Sequence, residues 1–212
     1  MKCSRYPGCW YIRRFSRFGV SWFVLLAGTS TLLQAAVVYN FDADVLGKAT
    51  PFTDTVSGLA ATFTSSGDPA GFAVGPTFFS ALTGNVLLDP GPAGLNNLAL
   101  TIVFSAPQTS ISLNFATNSA AGVLLNLSAF SGASAVGGAA ASGIIPLGFS
   151  FPEGVISFSG PAFDRVVLSS SALDFAIDNV AVDAIPEPGS LSLFTFGALG
   201  SLAIARLRRR GV

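Results

Sequence analysis

Apolar and polar residues alternate with a period of two through much of the chain. Ile111, Leu113 and Phe115 alternate with Ser112, Asn114 and Ala116, which places the two sets on opposite faces of a half-buried strand. Val123, Leu125, Leu127 and Ala129 alternate in the same way with Leu124, Asn126, Ser128 and Phe130, and Ile156 and Phe158 with Ser157 and Ser159. Residues 98–104, 163–168 and 173–182 carry similar patterns. Between these runs fall Gly67-Asp68-Pro69, Asp89-Pro90-Gly91-Pro92, Ala106-Pro107, Pro152-Glu153-Gly154 and Ser159-Gly160-Pro161, all of turn composition. The spacing predicts about ten short strands and no amphipathic helix longer than two turns, an all-β domain of the β-sandwich or jelly-roll kind. Two stretches read as loops: 48–57, Thr-rich with Pro51, and 131–143, almost wholly Gly, Ala and Ser. No fixed period repeats, which argues against a solenoid.

The alternating pattern stops at both ends. Residues 1–36 read as a secretory signal peptide. Lys2, Arg5, Arg13, Arg14 and Arg17 precede an uncharged run from Phe18 to Leu33, and Gln34-Ala35-Ala36 offers cleavage after Ala35 or Ala36. Arg13-Arg14-Phe15 suggests a twin-arginine leader, but Ser16 stands where an apolar residue is expected; an uncleaved anchor is the other alternative. Residues 185–212 have three parts in order. Pro186-Glu187-Pro188-Gly189 is a helix-disfavouring break. An uncharged apolar segment comes next, and then Arg206, Arg208, Arg209 and Arg210. As a helix, residues 190–207 would span roughly 27 Å, about the thickness of a bilayer core. The arginines would remain on the cytoplasmic side as a membrane stop. This leaves residues 37–184 as one exported domain, with a signal peptide before it and a transmembrane helix after it.

Charge and composition then change sharply between the ends and the middle. Only Lys48 and Arg165 lie in the domain, against ten carboxylates, so it carries about −8 although the whole chain sums to zero. Such a surface excludes nucleic acid and is repelled by anionic lipid. Both cysteines, Cys3 and Cys9, precede the domain, which therefore holds no disulfide. It has no His, Met or Trp, a single Tyr (Tyr39), and fourteen Phe to fill its core. Without His or Cys there is no Ser-His-Asp or Cys-His arrangement and no His-based zinc site. Glu153, the domain's only Glu, reads as a solvated residue of a Pro-Glu-Gly turn, and no spacing singles out a pair of Asp residues for glycoside hydrolysis. The expectation is a protein that is not an enzyme.

The tripartite tail resembles the PEP-CTERM sorting signal on Pro186, Glu187, Pro188, Gly189, the apolar run and the arginine cluster. The resemblance implies an exported protein held transiently in the inner membrane. It also implies processing by an exosortase-type membrane enzyme in a Gram-negative bacterium that makes extracellular polysaccharide. An ordinary C-terminal anchor after a Pro-rich linker is the plainer reading. Residues 175–182, with Ile177-Asp178-Asn179, resemble the closing strand of jelly-roll domains in exported proteins of this kind and in carbohydrate-binding modules. There an Asp in this position often helps hold a structural calcium ion, which implies that role for Asp178. Asp42 and Asp44, two apart at the end of the first predicted strand, would face the same way, with Asp183 a possible fourth carboxylate. The alternative is that these are solvated strand ends. Three functions fit these features: a non-catalytic structural protein of the surface or exopolysaccharide, a carbohydrate-binding module, or an Asp-dependent glycoside hydrolase. The module reading is weakened because sugar faces usually stack on Trp or Tyr.

Overall fold

The computed structural model describes residues 36–66, 71–89, 99–119 and 121–184. These hold ten strands and no helix. The ladders between them are antiparallel.

Two long strands organise the rest. Strand β6 (Ala99–Thr117) and strand β9 (Glu153–Ser170) pair along most of their length. The sequence predicts two short strands in each, separated by turns at Ala106-Pro107 and Ser159-Gly160-Pro161. The chain does not turn at these points. The β6–β9 register shifts between Val103 and Gln108 and again before Ser110, so each strand bulges and continues. Proline removes a ladder donor, and a bulge tolerates that loss while bending the strand.

The bend lets each long strand serve two groups of partners. The second half of β6 pairs with β10 (Phe175–Ala184), which also pairs with β1 (Val37–Tyr39) and β5 (Asn85–Leu88); β5 pairs with β4 (Ala73–Pro76). The first half of β6 pairs with β3 (Leu59–Ser66), which pairs with β2 (Phe52–Val56). The second half of β9 pairs with β7 (Leu124–Ser131), and β7 with β8 (Ser134–Ser142). Rings meet between the two groups. Tyr39 and Phe41 of the first lie 6.3 and 5.5 Å from Phe63 of the second, and the buried Tyr39 hydroxyl donates to the Leu59 carbonyl at 3.0 Å. Burial, and after it the charge of Asp54, pushes the Tyr39 hydroxyl up to about 12. Leu100, Ile102, Ile111, Leu113, Phe115, Leu125, Leu127, Ile156 and Ile177 complete the core, so the predicted alternation places the expected residues inside. The arrangement is all-β and consistent with a β-sandwich.

Both predicted loops contain strands. Within 48–57, Phe52 opens β2 directly after Pro51 and stacks on Phe63 at 5.1 Å; Thr, Val and Phe suit an extended backbone. Within 131–143, β8 pairs with β7 from Leu124↔Ser142 to Ser131↔Ser134. Its small residues are required by close packing. A Cβ on Gly137 would meet the Phe158 ring at 2.5 Å, and one on Gly138 would collide with the Leu127 carbonyl.

Candidate functional site

The β4–β5 connection, residues 77–84, folds back over the outer face of β10 and β6. Alternation puts Ile177 and Phe115 in the core, so their neighbours Ala176 and Ala116 point the other way. Leu82 of the loop packs on these two alanines and on Val86, with Phe79 and Leu88 beside them, forming a small second apolar cluster. Thr77 shapes the loop. Its amide donates to the Gly84 carbonyl at 3.0 Å and its hydroxyl to the Leu82 carbonyl at 2.9 Å.

Three carboxylates from separate parts of the chain latch the loop through its backbone. Glu153, 6% exposed at the start of β9, accepts the Ser80 amide at 2.8 Å on one oxygen and the Ala81 amide on the other. Asp178, 1% exposed in β10, accepts the Thr83 amide at 3.1 Å. Asp42 accepts the Asn85 amide at 2.9 Å. The Asn114 side chain adds a donor to the Ala81 carbonyl at 3.2 Å. Asp178 is held in turn by Asn179, whose backbone and side-chain N–H groups reach it at 2.7 and 2.9 Å. Asn179 sits at the β10 bulge with φ of 52°, a left-handed conformation that Asn tolerates better than most residues. Gly84, at φ of 68°, leaves room for the Asp42 carboxylate, where any Cβ would collide with it. Burial pushes the Asp178 carboxyl above the ordinary carboxylate range. The Thr83 and Asn179 amides pull it down, and the charge of Asp42 pushes it up further.

This geometry corrects two expectations. Glu153 is a buried latch, not a solvated turn residue: it opens β9, and loop 77–84 covers it. The residues expected to hold calcium take separate partners, although Asp42 stands near enough to Asp178 for its charge to act on it. Strand β1 ends at Tyr39, so Asp42 and Asp44 lie in a turn closed by the Asp44 amide on the Phe41 carbonyl, and strand phase does not align them. Asp44 pairs with Lys48 at 2.7 Å, and Asp54 takes the same ammonium. Asp183, five residues along β10 from Asp178, accepts the Ser110 hydroxyl at 2.8 Å. Among the described residues no group of three or more His, Cys, Asp or Glu side chains is placed to hold a metal ion.

Beside the latched loop is a cleft of about 70 Å³ that no sequence spacing announces. Its apolar wall is Phe78, Phe79 and Phe151, with ring centroids 4.4 Å apart for the adjacent pair and 5.7 Å from each to Phe151. Phe78 is 59% exposed. The polar wall is Asp89, Asn118 and Asp174. The Asn118 side chain donates to Asp174 Oδ2 at 2.8 Å, while Asp174 Oδ1 is buried with no hydrogen-bond partner among the described residues. The available signal is the Phe78-Phe79 doublet after Gly75-Pro76-Thr77, which in sequence merges with the other phenylalanines expected to fill the core.

The cleft and the chain exits occupy opposite ends of β10. Asp174 and Phe175 of the cleft stand at its start. At its other end Val182 pairs with Val37, and Ala184 with Gln108, so the described chain enters and leaves at one pole. Ten residues at about 3.4 Å each separate the poles by roughly 30 Å.

The segment beginning at Ala184 is similar to a known sorting signal. Residues 184–210 match the PEP-CTERM protein-sorting motif. The match takes in Pro186, Glu187, Pro188, Gly189, Arg206, Arg208, Arg209 and Arg210. These residues and the expected signal peptide lie outside the described residues, as does the expected transmembrane helix. Among the described residues no helix is long and apolar enough to cross a membrane. No curated protein matches the chain. Among solved structures, the K2 cleaved adhesin domain of Lys-gingipain is 14% identical, with 71% of this chain and 99% of that one covered and a TM-score of 0.49. The carbohydrate-binding module TmCBM61, solved with β-1,4-galactotriose, is 13% identical over 69% of this chain and 94% of that one, with a TM-score of 0.40. The module CBM6cm-2 of Cellvibrio mixtus lichenase 5A, solved with cellotriose, is 12% identical over 58% and 91%, with a TM-score of 0.30. Likeness at these scores carries no functional argument.

Proposed function

We propose that the chain is a non-catalytic exported protein of the cell surface or exopolysaccharide matrix, sorted by an exosortase-type enzyme through its PEP-CTERM tail. The match over residues 184–210 carries this reading. In it, residues 1–36 direct export and are removed, and residues 37–184 fold outside the inner membrane as a sandwich of jelly-roll type. The apolar tail then holds the protein in that membrane until Pro186-Glu187-Pro188-Gly189 is recognised, with the four arginines as the cytoplasmic stop. The engagement of the domain's carboxylates supports a non-catalytic role. Glu153, Asp178 and Asp42 hold a loop, Asp44 and Asp54 hold Lys48, and Asp164 accepts the Gly132 amide at 3.1 Å. A glycosidase instead needs two carboxyl groups free to face a sugar; of the pair beside the Phe78 cleft, Asp174 is held by the Asn118 side chain at 2.8 Å and Asp89 is engaged as well.

Fractionation tests the reading. With Pro186, Glu187 and Pro188 all changed to Ala, full-length protein should stay in the inner membrane, whereas the wild type should be shortened and reach the surface or medium. Equal processing and release of both proteins would overturn sorting through this motif. A reporter active only in the cytoplasm, fused at residue 150, should stay silent.

A further inference from the structure

We infer that the cleft between Phe78, Phe79 and Phe151 and the polar pair Asn118–Asp174 binds a neutral polysaccharide, with one sugar ring lying across its mouth on Phe78. This rests on the reading of the protein as matrix-associated, and it assigns that role a site and a ligand class.

A pyranose ring has an apolar face of C–H groups and a rim of hydroxyls, and the cleft offers a partner for each. The Phe78 ring is packed against Phe79 and Phe151 yet keeps more than half its surface open, a platform for the apolar face. Asp174 Oδ1 is a buried acceptor without a donor among the described residues, and a sugar hydroxyl supplies one. A wholly apolar partner would leave that oxygen unpaired.

The scale of the cleft fixes the mode of binding. About 70 Å³ holds a few waters but does not enclose a sugar ring, so only one face and one or two hydroxyls are read. That suits the interior of a chain running across the surface. Charge narrows the polymer. Both cations of the domain are engaged elsewhere, Lys48 by Asp44 and Asp54 and Arg165 over the Phe130 ring at 4.5 Å. Asp89 and Asp174 line the cleft itself, so uronate or phosphate groups would be repelled.

Position and rigidity agree with this assignment. The loop bearing Phe78 is latched by Glu153, Asp178 and Asp42, so little ordering remains for binding to bring about. The cleft also lies at the pole away from Ala184, where a tail-anchored domain faces outward.

Affinity electrophoresis of the full-length protein in neutral detergent tests the inference, using gels containing hydroxyethyl cellulose, soluble β-1,4-galactan, dextran or polygalacturonate. At least one neutral polymer should retard the protein and polygalacturonate should not. Phe78→Ala and Asp174→Asn should each weaken the retardation tenfold or more at unchanged melting temperature, and Phe78→Trp should preserve it. No retardation by any neutral polymer overturns the inference. So does retardation by polygalacturonate alone, or retardation that neither Phe78→Ala nor Asp174→Asn affects. If Phe78→Ala instead abolishes a dimer seen by sedimentation without changing retardation, the inference is overturned and the cleft is a self-association surface. Localisation is scored separately, so a protein that reaches the surface but binds no neutral polymer overturns the cleft assignment and leaves export standing.

Discussion

The domain has two apolar clusters built on different principles. The large one, between the strand groups, is a lattice of rings and aliphatic chains: Tyr39, Phe41, Phe63, Phe115 and Phe163 with Leu100, Ile102 and Ile177. The small one holds only Leu82, Val86, Ala116 and Ala176, with Phe79 and Leu88 at its margin. Burial of apolar area is sufficient to hold the first. The second buries too little to hold a loop in place, and charge-assisted hydrogen bonds from Glu153, Asp178 and Asp42 make up the difference. Replacing a residue should therefore have different consequences in the two places: global unfolding from the core, local opening from the loop.

The largest effect is expected from Phe63→Ala, which removes a fully buried ring in contact with Tyr39, Phe41 and Phe52. Such truncations cost about 3–5 kcal/mol, so the melting temperature should fall by roughly 10–15 °C. Glu153→Ala comes next, since it leaves the Ser80 and Ala81 amides without their acceptor. The cost should be about 1–3 kcal/mol, read as faster amide exchange across residues 79–83 with the rest of the domain protected. If exchange rises equally in β6 and β9, the two clusters form one cooperative unit and the distinction fails.

A smaller effect sharpens the comparison through pH. Asp178 has a carboxyl raised chiefly by burial, so protonation is easier in the folded state than in the unfolded one. Its stabilising contribution is complete below the ordinary carboxylate range and is lost as pH rises through the raised value. Relative to Asp178→Asn, the wild type should therefore gain stability as pH falls from neutral toward the ordinary carboxylate range, about 4, measured by paired thermal melts. A difference that stays flat, or runs the other way, would show that the latch hydrogen bonds outweigh the burial. The smallest effect is expected at Lys48→Met. Its ammonium touches Asp44 and Asp54 but is over a quarter exposed, so solvent screens the pair and the loss should stay within about 1 kcal/mol.

Strand phase is legible in the sequence because it depends on neighbours along the chain. Ile111, Leu113 and Phe115 face the core as the alternation requires. Features that depend on distant residues are not legible. Glu153 lies on the outward phase of β9, and only a loop more than seventy positions earlier buries it. Pro107 and Pro161 carry turn composition, and whether proline turns or bulges a strand depends on the pairing beside it. The small residues of β8 read as a loop because nothing local reveals that Phe158 needs the space above Gly137. The charge of Asp42 acts on Asp178, and each carboxylate holds an amide that no local pattern announces. The cleft escapes a reading of the sequence because Phe78, Asn118, Phe151 and Asp174 come from four separate segments.

Strand β10 joins the two poles directly, and this has a mechanical meaning. A protein anchored beyond Ala184 and held by a polymer at the cleft carries tension along the axis of that strand. Antiparallel hydrogen bonds lie across the strand direction, so a pull entering through Phe78 and Asn118, outside β10, would reach that strand as sideways load on the bonds joining it to β5 and β6. They share the pull instead of parting one at a time from an end. If the proposed attachment and grip hold, they would sit at opposite ends of one interior strand, and the domain would be loaded as a tether.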